Sequence, residues 1–145
     1  MKRRGEPLPL EVQQLLAPFF PGFDLSRIRI YEGIPRYVVG VSKVGPIGYT
    51  DRNRIYFAPD HYRVDTLEGL ALIAHEIVHC QQYHKLGTWR FRAEYLAAYF
   101  KNRRRGMIAQ EAYLNISFEI EARDIETKVL AALRRVQSQL HYPTS

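Results

Sequence analysis

His75-Glu76-Ile77-Val78-His79 decides how this chain is read. It stands inside a proline-free run from Leu67 to Gln82, whose apolar residues Leu70, Leu72, Ile73, Ala74, Ile77 and Val78 point to most sides. A helix that is apolar nearly all round is buried, so this one lies at the centre of the fold. Residues four apart share a helix face, so His75 and His79 present two imidazoles to one point. Burying two histidines and a glutamate is costly unless they are paired or metal-bound. Zinc takes imidazole nitrogens, and a catalytic zinc uses three protein ligands and a water. Glu76 is placed to accept the proton of that water. The motif thus supplies two ligands and a general base, and a third ligand must come from elsewhere.

Outward from the motif, Asp65 or Thr66 is expected to cap the helix and Gly87 to end it. Upstream, residues 8–17 suggest a short helix that ends before Pro18. Strand-like runs follow at Arg27 to Tyr31, Arg36 to Val41, Ile47 to Thr50 and Arg54 to Phe57, with Ile47 to Phe57 reading as a hairpin around Asp51-Arg52-Asn53. Downstream, helices are expected from Thr88 to Arg105, from Met107 to Leu114 and from Ser117 to Leu140. The last has the cleanest amphipathic pattern: Phe118, Ala122, Ile125, Val129, Leu133, Val136 and Leu140. The expected class is α+β: a small N-terminal β-sheet packed on a helical bundle that carries the motif helix, in a single domain over 1–145.

Hydrophobic residues make up 46% and charged residues 25%, which suits a globular protein with a proper core. Cys80 is the only cysteine, so no intrachain disulfide can form; it reads as a small core residue. The N-terminal Met1-Lys2-Arg3-Arg4 is not followed by the apolar core of a signal peptide, and no run is long enough to span a membrane. A cytoplasmic location is expected, with export by a route needing no cleavable signal left open. The net charge is +6. Its densest cluster, Lys101 to Arg105, closes a helix before Gly106, where cations complement the helix dipole. Arg103 to Arg105 therefore read as a solvated helix end, and neither nucleic acid nor membrane is expected as a partner.

The third ligand should come from the helix that begins at Ser117. Its opening offers Glu119, Glu121, Asp124 and Glu126. At about 100° per residue, Asp124 points away from the apolar stripe. Glu119 and Glu121 flank the stripe on opposite sides, and periodicity does not choose between them. Glu126 lies near Glu119, two turns on.

A motif helix of this kind followed by a later E-x-x-A helix resembles the gluzincin group of zinc metalloproteases. The resemblance implies that the glutamate opening E-x-x-A is the third ligand. Here that is Glu119-Ile120-Glu121-Ala122, which selects Glu119. Many gluzincins carry Asp or Asn after that alanine to support a histidine. This chain has Arg123, which leaves Asp124 or Glu126 for the task. The metzincin pattern fails, because Gln82 and Lys85 stand where it needs Gly and His. From roughly 45 to 126 the chain is also similar to the metalloprotease-like core domain found with extracellular contractile injection systems. There too a strand, here Arg54 to Pro59, precedes a helix of the type seen from Gly69 to Gln82.

These readings together predict a zinc-dependent peptidase acting on a peptide or protein substrate. His75, His79 and Glu119 hold zinc, and Glu76 is the catalytic base. Tyr113, Tyr83 and His84 are candidate donors to the tetrahedral intermediate. The strand from Ile55 to Phe57 would pair with an extended substrate. The rivals are a zinc-containing structural or injection-system-associated module that cleaves nothing, and a basic nucleic-acid-binding protein using Arg103 to Arg105.

Overall fold

The computed structural model describes residues 3–39 and 47–141. A four-stranded mixed sheet comes first and a set of helices after it, the α+β arrangement that the sequence predicts. The strands are β1 (Arg4–Glu6), β2 (Arg29–Glu32), β3 (Gly48–Asp51) and β4 (Arg54–Phe57), in the order β1-β2-β4-β3. β3 and β4 form the expected hairpin, turning through Arg52 at φ 59°. β2 runs parallel to β4, and β1 runs antiparallel to β2.

The helices are α1 (Leu10–Leu16), α2 (Arg36–Val39), α3 (Leu67–Leu86), α4 (Thr88–Arg104), α5 (Ala109–Leu114) and α6 (Ser117–His141). α3 is capped by Thr66, whose hydroxyl accepts from the Gly69 amide at 3.0 Å, while Asp65 pairs with Arg63 instead. Gly69 is required there, since a Cβ would stand 2.0 Å from the Arg63 carbonyl oxygen. The core lies between the sheet and α3: Ile30, Ile55 and Phe57 meet Leu70, Ile73 and Ile77, all buried. The other side of α3 packs on α6, where the buried Ala122, Val129 and Leu133 complete the core. The small Ala122 at the crossing lets the two backbones approach closely.

One expectation fails here, and one strand is unforeseen. Arg36 to Val41 reads as a strand, but Arg36–Val39 is a helical turn; the rest of that run lies outside the described residues. A short apolar run behind a proline has too few residues to show its period. β1 was not anticipated, because the three residues Arg4–Glu6 carry no apolar alternation. Its pairing is set by β2, not by local preference.

Candidate metal centre

α3 and α6 cross so that His75, His79 and Glu119 meet. One ligand atom from each lies within 4.8 Å of the others, and all three residues are buried. The Nε2 atoms of His75 and His79 stand 3.1 and 3.2 Å from Glu119 Oε1. Glu121, two residues on, is exposed, so packing makes the choice that periodicity left open. Glu119 is only 3% exposed.

The other ring nitrogens are occupied. His75 Nδ1 lies 3.1 Å from Glu126 Oε1, and His79 Nδ1 lies 2.8 Å from Gln82 Oε1. The Gln82 amide nitrogen donates to the Phe118 carbonyl at 3.0 Å, which fixes its oxygen toward His79. Glu126 therefore does what Arg123 cannot, since the Arg123 guanidinium turns back to the Leu114 carbonyl. Acceptor oxygens at both Nδ1 atoms favour the Nδ1-protonated tautomers, which leave both Nε2 lone pairs facing a carboxylate oxygen. Such a trio of acceptors could hold a cation at its centre. Ligand atoms placed tetrahedrally around zinc lie about 3.3 Å apart, close to the two histidine–Glu119 distances here. The residues present fit a zinc-sized ion.

Without a metal, protons must fill that place. Burial disfavours a charged His75, but its bonds to Glu119 and Glu126 outweigh burial and lift its pKa to about 10. His79 is raised in the same way, against its own burial, by Glu119. Glu119 is held well below the usual carboxylate range: burial opposes this, and the two histidines overcome it.

Two tyrosines complete the surroundings of Glu119. The Tyr95 hydroxyl from α4 donates to Oε2 at 2.8 Å, and the Tyr113 hydroxyl from α5 donates to Oε1 at 3.2 Å. Burial, reinforced by the charge of Glu119, raises both phenols and keeps them protonated. Of the three candidate donors named from sequence, Tyr113 alone bonds a residue of the trio. The Tyr83 hydroxyl accepts from Arg92 at 3.5 Å, and His84 sets its ring edge-on to Phe23, 6.0 Å away.

Glu76 is buried on the sheet side of α3 and does not bond to the trio. Thr50 Oγ1 donates to its Oε2 at 2.7 Å. Gly48 leaves room for the carboxylate: a Cβ at this position would stand 2.6 Å from Oε1. Asp51, next along β3, binds Arg92 of α4 at 2.6 Å, so β3 is tied to helices on both sides of the site. The strand expected to meet a substrate, Ile55 to Phe57, is instead an inner strand, paired by β2 and β3 on its two edges. Among the described residues β1 and β3 are the two outer strands, and β3 is the one that touches Glu76.

A helix bearing H-E-x-x-H, crossed by a second helix that brings a buried glutamate to both histidines, defines a zincin-like site. The family model described as the eCIS core domain matches residues 7–87, more than half of the chain. The chain belongs to the eCIS core domain family. The matched stretch holds β2, β3 and β4 with His75, Glu76 and His79; β1 lies before it, and it stops short of Glu119. Neither a curated protein nor a solved structure matches the chain.

The sequence did not point to Gly48, Thr50, Tyr95 or Gln82. Gln82 had a signal, since it follows His79 by three residues on the same helix face. Tyr95 and Thr50 had none, because each reaches the site through tertiary packing.

Proposed function

We propose that this chain is a zinc-dependent peptidase of the gluzincin kind, acting on a peptide or protein substrate. One observation carries the reading. Three buried donors converge from two helices, while the Glu76 carboxylate stands beside them, bonded to Thr50 and not to the trio. A purely structural metal site has no need of that second carboxylate.

His75, His79 and Glu119 would hold the ion, oriented by Glu126, Gln82 and the two tyrosines. Zinc supplies Lewis acidity, making a water more acidic and a scissile carbonyl more electrophilic. Glu76 accepts the proton of the attacking water and returns it to the leaving amine. Thr50 keeps the base in place during both transfers. Tyr113, about two-fifths exposed and carried by a helix of six residues, can turn from Glu119 to the oxyanion of the tetrahedral intermediate. β3 replaces the inner strand as the element that pairs with an extended substrate, because it is an edge strand among the described residues and its Gly48 and Thr50 pack against Glu76.

The test is to assay zinc in the purified protein and then cleavage of a broad peptide library with and without a chelator. Zinc near one equivalent, with cleavage lost on chelation and restored by zinc, is expected. Zinc without cleavage would favour the non-catalytic module, and no zinc uptake would end the metal reading.

A further inference from the structure

The two oxygens of Glu119 have different surroundings. Oε1 faces both histidine Nε2 atoms, at 3.1 and 3.2 Å. Oε2 is also 3.2 Å from His79 Nε2, so distance to the histidines does not exclude it from the metal position. What sets Oε2 apart is Tyr95, whose hydroxyl donates to it at 2.8 Å. That bond is shorter than the 3.2 Å contact of Tyr113 with Oε1.

The Tyr95 ring is firmly seated. It stacks on Phe118, the residue before Glu119, at an interplanar angle of 3°, and sits 5.7 Å from Phe91. The same aromatic cluster thus fixes the donor and the backbone that carries the acceptor. Tyr113 differs in kind: it is exposed, and it bonds the oxygen that the histidines already face.

We propose that Tyr95 is a positioning residue that reserves Glu119 Oε1 for the metal by occupying Oε2, making Glu119 a one-oxygen ligand. The inference rests on the metal reading above. It assigns α4, a helix that contributes no ligand, the task of keeping room at the ion for water and substrate. A hydroxyl is the fitting group for this. It removes one oxygen from competition without adding charge, where a lysine or arginine would weaken the carboxylate as a ligand.

Zinc affinity is measured by chelator competition for the wild type, Tyr95→Phe and Tyr113→Phe. The visible spectrum of each cobalt-substituted form is recorded beside it. Tyr95→Phe keeps the stacked ring and loses only the hydroxyl. It should bind zinc about 10–100-fold more weakly. Its cobalt band should weaken, as the freed Oε2 joins the ion and raises its coordination number. Tyr113→Phe leaves Oε2 held by Tyr95, so whatever it does to affinity it should keep the cobalt spectrum of the wild type. Wild-type affinity and spectrum in Tyr95→Phe would overturn the proposal while leaving the metal reading intact. A loss of affinity with an unchanged cobalt spectrum would overturn it too, since Tyr95 would then merely support the fold. A wild type that takes up neither metal would overturn both.

Discussion

Thr50 on β3 donates to the Glu76 carboxylate on α3 across 2.7 Å, and this bond joins the sheet to the motif helix at the proposed base. The same hydroxyl also lies 3.3 Å from the Glu76 carbonyl oxygen. β3 therefore sets where the Glu76 carboxylate can stand.

Gly48, two residues earlier on β3, gives a sharp test of that dependence. In Gly48→Ala the new methyl would stand 2.6 Å from Glu76 Oε1 and 3.0 Å from its carboxyl carbon. The carboxylate must move, while the three donors from α3 and α6 stay put. Peptide cleavage is expected to fall by about 10²-fold with zinc content unchanged. An unaltered cleavage rate would remove β3 from the mechanism.

Glu119 and Glu121 separate in a metal assay. Glu119→Ala should lose most bound zinc, because it deletes one of three convergent donors. Glu121→Ala, at an exposed position, should purify with the zinc of the wild type. Equal zinc in the two variants would contradict the assignment of the trio.

The metal-free protein has a predictable pH dependence. The folded His75 pKa of about 10 lies above its ordinary value of 6.5. A raised histidine contributes stability that is fully present below its unfolded pKa and is lost as pH rises through the folded one. Thermal unfolding of the chelated protein should therefore show falling stability between pH 6.5 and about 10. Zinc needs deprotonated ligands, so its own stabilisation should grow over the first part of that range. Chelated protein that is more stable at pH 9 than at neutral pH would show that His75 carries no such proton.

The basic helix end should be dispensable. Arg103, Arg104 and Arg105 are all exposed, and among the described residues their one side-chain hydrogen bond is from Arg103 to the Met107 carbonyl at 3.1 Å. Changing all three to Gln should leave zinc content intact and alter stability by no more than about 1 kcal/mol. If the triple variant lost a tight, steeply salt-dependent affinity for DNA or RNA, the nucleic-acid reading would replace the present one.

What could be read from the sequence follows what is local. His75, Glu76 and His79 declare themselves because helical spacing alone puts the two imidazoles on one face. The hairpin declares itself because Asp51-Arg52-Asn53 is a turn between two apolar runs. Glu119 needed more: its periodicity equals that of Glu121, and only the likeness to an E-x-x-A helix told them apart before packing did. The inner position of β4 could not be read. It depends on β2 pairing from more than twenty residues away, which no local pattern records. Tyr95 reaches Glu119 by the same kind of distant packing. Arg36 to Val39 misled because four residues between a proline and a glycine fit either a strand or a turn of helix.

The central claim is that Glu76 does chemistry beside a metal that it does not hold. Its most direct test measures zinc and peptide cleavage in Glu76→Gln beside the wild type. Glutamine is nearly isosteric and can still accept the Thr50 hydrogen bond, so fold and zinc should be retained. It cannot take the proton of an attacking water, and cleavage should fall by about 10²–10⁴-fold. Cleavage by Glu76→Gln at the wild-type rate, with zinc in place, would contradict the account.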